Sequence, residues 1–199
     1  IAESIAEALK LSLKLQSGAA GNLTGTTSIA AYEHYLQGMS LWHQRTVKTL
    51  YQAIEEFQAA ATLDPAFAKA HAGLALTWAV LPGYLTVDQA EVHGKATAAA
   101  ERALALDPEN VEALASLGNI ASFQNRLAEA DGLLNRAIEL NPSFATAHQW
   151  LGSNYLGTGA IDPALASYQQ AWSLDPRSRI IGYNLARVLD GAGRRDEAI

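Results

Sequence analysis

Five histidines are the side chains best suited to metal or acid–base chemistry: His34, His43, His71, His93 and His148. A helical metal site needs two such ligands four residues apart, so that both imidazoles reach one ion from adjacent turns. No two of the five are spaced that way, and no cysteine is present to complete a donor set. His71 and His148 instead occupy the same place in two copies of a repeated phrase, which predicts packing or rim roles. A catalytic carboxylate pair needs burial in a cleft. Glu55 with Glu56, Glu101, and Glu129 with Asp131 fall on faces read as solvated helix surface. The glycine-bearing stretches "GAAGNLTGT" and "GTGAIDPA" lack the Gly-Lys-Ser/Thr of a phosphate loop, and they read as a linker and a turn. No catalytic residue, metal or cofactor is expected, and the chain is expected not to be an enzyme in itself.

Bulk composition narrows the remaining classes. The chain has 199 residues, 49% hydrophobic, with a formal net charge of −6 and no cysteine. That hydrophobic share places it among folded chains. The acidic balance argues against nucleic acid, which is held by basic surfaces. The longest apolar stretch, about 72–85, is broken by Pro82 and Gly83 and falls short of the ~20 residues that span a bilayer. No secretion-signal pattern opens the chain, so a cytoplasmic location is favoured, with the periplasm as the alternative. A first residue that is not methionine, and a last stretch that stops inside a helical pattern, read as a segment of a longer protein.

The elements that would position functional groups repeat. "AATLDPAFAKAHAGLA", "ALALDPENVEALASLG", "AIELNPSFATAHQWLG" and "AWSLDPRSRIIGYNLA" are four copies of one joint. Pro108, Pro142 and Pro176 are 34 apart, and Pro65 precedes Pro108 by 43, a nine-residue insertion. A fixed period of this size marks stacked hairpins. Within 111–144, Leu114, Leu117, Gly118 and Ala121 share one helical face, and Ala130, Leu134 and Ala137 share another. Gly118, Gly152, Ala130 and Ala164 let paired helices approach, while Leu134, Tyr155 and Tyr168 fill the space beside them. The Asp/Asn-Pro pairs end the preceding helices. In the insertion, Thr86 and Gln89 are expected to form a capping box that starts a longer second helix.

The period, the Leu-Gly pair, the alanines of the second helix and the closing proline resemble the tetratricopeptide repeat, most specifically over 111–178. The resemblance implies an all-α fold, an α-α superhelix of stacked helix-turn-helix hairpins. The boundaries read as an amphipathic helix from a preceding region over 1–16, a flexible linker over 17–28, and repeats over 29–199. The units fall at about 31–67, 68–110 with the insertion 81–95, 111–144, 145–178 and a truncated 179–199. The start of the chain, followed by "AYEHYLQGMSLWHQRT", also resembles the carboxy-terminal region of bacterial signalling proteins. Those proteins follow a TolB-like domain with such repeats and carry a cyclase, winged-helix or kinase front end.

Stacked hairpins of this family present a concave side lined by their first helices, suited to an extended peptide or a partner helix. The resemblance places Asn119, Gln149, Trp150, Ser153, Tyr183, Asn184 and Arg187 on that lining as partner-binding candidates, with Trp150 divided between groove and packing. Trp78 is expected in the core. Some family members clamp a terminal carboxylate between Lys and Asn side chains. Here Asn119 matches, but Ala115 and Gln149 stand where a Lys is required, so that clamp is not carried over. Leu185, Val188, Leu189 and Ala198 are expected to lack a packing partner, which suggests self-association through the truncated repeat. The reading is a protein-interaction scaffold that binds a peptide or protein partner, with no nucleic acid and no membrane insertion, as a regulatory part of a larger bacterial signalling protein. The alternative is a segment of a class III cyclase or transcriptional regulator acting as an intramolecular sensor or spacer.

Overall fold

Each copy of the repeated joint closes a helix in the same way. At Asp64, Asp107, Asn141 and Asp175 the backbone turns from helical to extended, with φ between −138° and −143° and ψ between 77° and 94°. Each of these residues precedes a proline, whose ring pushes its predecessor out of the α region. The N–H of each still bonds back to the carbonyl of Ala60, Ala103, Ala137 or Ala171. The side-chain oxygens of Asp64, Asp107 and Asn141 accept from the backbone two residues on, at 3.0, 3.3 and 3.1 Å. The chain thus makes an Asx turn straight into the next helix.

A computed structural model describes residues 25–194 and 196. Its described helices are α1 (Ile29–Gln44), α2 (Val47–Leu63), α3 (Ala68–Val80), α4 (Gln89–Leu106), α5 (Val111–Phe123), α6 (Leu127–Leu140), α7 (Ala145–Gly157), α8 (Ile161–Leu174) and α9 (Arg179–Gly191), with one 3₁₀ turn at Leu81–Gly83. They fall in two compact units that divide between Asn110 and Val111. The fold class is all-α, built from helix-turn-helix hairpins stacked within each unit. The amphipathic helix expected over 1–16 lies outside the described residues.

In the first unit α1 pairs with α2 and α3 with α4, and α3 rests on both α1 and α2. The centre is Phe57, fully buried on α2. A β-carbon on Gly38 of α1 would stand 2.7 Å from its ring, and one on Gly73 of α3 would stand 2.5 Å away. Both glycines are therefore required by close approach rather than by backbone conformation. Tyr35 lies 6.0 Å from this ring, centroid to centroid, and clusters with Tyr32 and Phe67 at 5.3–6.5 Å. Residues 25–28, expected as the end of a linker, are held against the unit. Thr26 donates its hydroxyl to Asp64, and Ser28 caps α1 by accepting from Ala31. The insertion runs through the 3₁₀ turn into α4. The cap of α4 is Asp88, which accepts from Ala90 and Glu91, and not the expected Thr86. The helix starts one residue after Asp88, and a carboxylate at the helix N-terminus also faces the positive end of the dipole. A capping box does occur in this unit, at Thr46 and Thr49.

The second unit repeats its packing at the 34-residue period. α5 pairs with α6 and α7 with α8, while α6 leans on α7 and α8 on α9. A β-carbon on Gly118 would meet Leu134 at 2.7 Å, and one on Gly152 would meet Tyr168 at 2.9 Å. Ala130 and Ala164, expected beside them, are fully buried. After the first helix of each repeat the chain passes through a left-handed residue, at Asn125 (φ 61°), Gly159 (φ 77°) and Gly193 (φ 75°), each 34 from the last. Asn and Gly are the residues that enter this region at least cost, and "GTGAIDPA" is accordingly a turn.

Candidate functional site

The side chains expected to meet a partner all belong to the second unit, on the first helices of its repeats: Asn119 on α5, Gln149, Trp150 and Ser153 on α7, and Tyr183, Asn184 and Arg187 on α9. They divide by burial. Asn119, Gln149 and Trp150 are only 5%, 7% and 5% exposed. The Trp150 ring therefore contributes packing within the fold and little contact area for a ligand. Ser153 and Asn184 are half-buried, and Arg187 is exposed. Tyr183 is 61% exposed, an aromatic ring facing solvent.

One side chain absent from the expected set joins these helices. Tyr168 of α8, legible in the sequence only as packing, is 2% exposed. Its hydroxyl lies 2.7 Å from the Ser153 hydroxyl on α7, which in turn donates to the Gln149 carbonyl at 3.2 Å. On its other side Tyr168 packs with Leu165, Val188 and Leu189. Burial raises the phenol pKa of Tyr168, against the opposing pull of the Ser153 hydrogen bond and of the Arg187 charge. Arg187 is thus close enough to be felt at Tyr168, and its guanidinium also sits 5.6 Å from the centre of the Tyr183 ring. Ser153 and Tyr168 thus join α7 to α8 by a hydrogen bond, and Arg187 and Tyr183 stand side by side on α9. The packing of Leu185, Val188 and Leu189 against α8 corrects the expectation that they lack a partner, and Ala198 lies outside the described residues.

The other sequence candidates take structural positions. His71 and His148 each bring Nε2 to the carbonyl of the proline six residues earlier, at 3.1 and 3.0 Å on Pro65 and Pro142. They latch the joint between repeats. His34 pairs with Glu56 at 2.6 Å. Among the described residues no group of three or more His, Cys, Asp or Glu could hold a metal ion, and no helix is long and apolar enough to cross a membrane. Trp78 is half-buried, with the Lys95 ammonium 4.6 Å above its ring. Asn154 was not anticipated. It is 1% exposed and donates to the Leu127 carbonyl at 3.0 Å, tying the end of α7 to the start of α6.

The regular glycine pairing, the joint and the turn all recur at one period, and comparison with known proteins agrees on what that period is. The tetratricopeptide repeat profile matches residues 111–144 and 145–178. Residues 111–178 belong to the tetratricopeptide repeat family. This chain is 36% identical over 109 residues to Protein O-mannosyl-transferase TMTC1 of Mus musculus, covering 53% of this chain and 12% of that protein. It is 30% identical over 113 residues to the Hsp70-Hsp90 organizing protein of Triticum aestivum, covering 50% and 19%. The chain thus spans a small part of the curated relatives it matches. Among solved structures, a thermophilic TPR protein of Thermus thermophilus superposes with a TM-score of 0.66 at 24% identity, covering 85% of this chain and 86% of that one. That likeness shows the fold. Tetratricopeptide repeats act as protein-interaction scaffolds.

Proposed function

We propose that the protein is an interaction scaffold that holds a peptide or partner protein against the first helices of its second unit. Ser153, Tyr183, Asn184 and Arg187 make the contact, and Asn119, Gln149 and Trp150 form its buried floor. The observation that carries this reading is Tyr183. A ring 61% exposed, with the Arg187 guanidinium 5.6 Å from its centre, has the composition of an interface anchor, where Tyr and Arg are enriched. Leu185, Val188 and Leu189 of α9 are engaged with α8, which supports a ligand on the exposed face of α9 over a second copy of the chain at these side chains. The likeness of the chain's start and first repeat to the carboxy-terminal region of bacterial signalling proteins supports a regulatory role within a larger protein of that kind.

The experiment is affinity capture from lysate of the source cell with three chains: wild type, Tyr183→Ala/Asn184→Ala, and the control Gln169→Ala/Gln170→Ala on exposed α8 positions. All three must show the same helical spectrum. A partner lost only from the Tyr183/Asn184 variant is the expected result. A partner retained by that variant and lost from the control would move the site to the second helices.

A further inference from the structure

Along α9, Arg179, Tyr183 and Arg187 stand at i, i+4 and i+8, and all three are exposed. Residues at this spacing line one face of a helix, so the ridge presents a ring flanked by two guanidiniums. The stretch 176–189 carries three arginines and no acidic residue, in a chain with 20 acidic and 14 basic side chains. Among the described residues neither Arg179 nor Arg187 takes part in an ion pair. Elsewhere on the chain Arg126 and Arg136 are each neutralised by a glutamate three residues on. Asp175 and Asp190 lie about one turn beyond the two ends of the ridge, but neither is ion-paired with Arg179 or Arg187, so a basic ridge on an acidic protein keeps its guanidinium forks open to an acidic partner.

Resting on the binding reading above, we infer that the α9 ridge recognises an extended acidic segment of a partner protein, with carboxylates four residues apart and an apolar side chain midway. The spacing follows from geometry. Eight residues of helix rise about 12 Å at ~1.5 Å each. An extended peptide covers that distance in about four residues at ~3.3 Å each. In such a peptide residues i, i+2 and i+4 face the same way, so two carboxylates meet Arg179 and Arg187 while the middle side chain meets the Tyr183 ring. A ridge of two guanidiniums suits a short segment with two carboxylates better than a nucleic acid, whose continuous phosphate backbone calls for a broader basic face.

The test is fluorescence anisotropy on the full chain with a fluorescein-labelled peptide containing Glu-Ser-Leu-Ser-Glu, the same peptide with both Glu replaced by Gln, and a labelled single-stranded oligonucleotide. The acidic peptide is expected to bind about 10-fold more tightly than its Gln version. It should lose about 10-fold in Arg179→Gln/Arg187→Gln, and weaken as salt rises from 0.05 to 0.5 M. Equal binding of the two peptides, or unchanged binding by the double variant with a wild-type helical spectrum, overturns the inference. Tighter binding of the oligonucleotide than of the acidic peptide overturns it in favour of nucleic acid. If the capture experiment yields a partner lost with Tyr183→Ala/Asn184→Ala but kept by Arg179→Gln/Arg187→Gln, the scaffold reading stands and the acidic reading alone falls.

Discussion

The two units solve one packing problem in different ways. In the second unit each hairpin has its own pair, Gly118 against Leu134 and Gly152 against Tyr168. The pairs sit at the same two places in successive 34-residue repeats. In the first unit a single ring, Phe57, receives Gly38 from one hairpin and Gly73 from the next. The residue equivalent to Phe57 in the second repeat, eight before the joint proline, is Ala100, also fully buried. The repeat profile matches the second unit, where every hairpin carries its own large-and-small pair. The lesson is that the sequence signature of the repeat is a record of local pairing. When one aromatic serves two hairpins, the fold persists although the signature thins.

That contrast predicts unequal costs. Phe57→Ala should destabilise most, by about 3–5 kcal/mol, because it opens a cavity that two helices share. Urea unfolding followed by far-UV circular dichroism would measure it. A loss no larger than that of an exposed-site control such as Gln58→Ala would mean that the ring is not the centre of the unit. Next comes overpacking in the second unit. Gly152→Ala places a β-carbon 2.9 Å from the Tyr168 ring and 3.2 Å from the Ala164 carbonyl, and the expected loss is about 1–3 kcal/mol. Adding Tyr168→Leu in the same chain should recover part of that loss, since the shorter side chain vacates the space. Failure to recover any would show that the clash lies with the backbone carbonyl.

Most of this architecture was legible in the sequence, for a physical reason. The Asp/Asn-Pro joint, the close-approach glycines and the left-handed turn residues are each imposed locally, and local constraints write themselves into residue types. The candidate site was less legible. Helical spacing placed Trp150 and Tyr183 alike on first helices, but exposure depends on what packs alongside, and only Tyr183 remains open. Tyr168 carries a core signature and a polar role at once, because its ring fills space while its hydroxyl reaches Ser153. Arg179 joins the ridge only through its exposure beside Tyr183 and Arg187, which residue spacing alone does not give. The cap of the insertion failed for a subtler reason: Thr86 and Asp88 are both good caps, and two residues decide where the helix begins.

The insertion gives a smaller way to sharpen the comparison. Asp88 is exposed and holds two N–H groups of α4, at 2.9 and 3.3 Å, and Asp88→Ala should cost about 1 kcal/mol. Asp88→Asn should retain most of it, because the amide oxygen still accepts while the charge is lost. An equal loss for Ala and Asn would assign the effect to charge at the helix end and not to the hydrogen bonds.

The last contrast is titration. His93, on α4 of the first unit, is 5% exposed, and burial lowers its pKa below the ordinary imidazole value of about 6.5. A folded pKa below the unfolded one means that protonation favours the unfolded chain. The stability that depends on neutral His93 is therefore complete above the ordinary value and lost as pH falls from there through the lowered one. The second unit's histidine, His148, is half-buried on the Pro142 carbonyl and carries no such buried imidazole. Amide hydrogen exchange at pH 7.5 and 5.5, corrected for intrinsic rates, should show α4 losing protection relative to α8. His93→Gln should remove that difference. Equal losses in both units would mean that acid acts on the whole chain, and the burial of one imidazole would then not set the pH response.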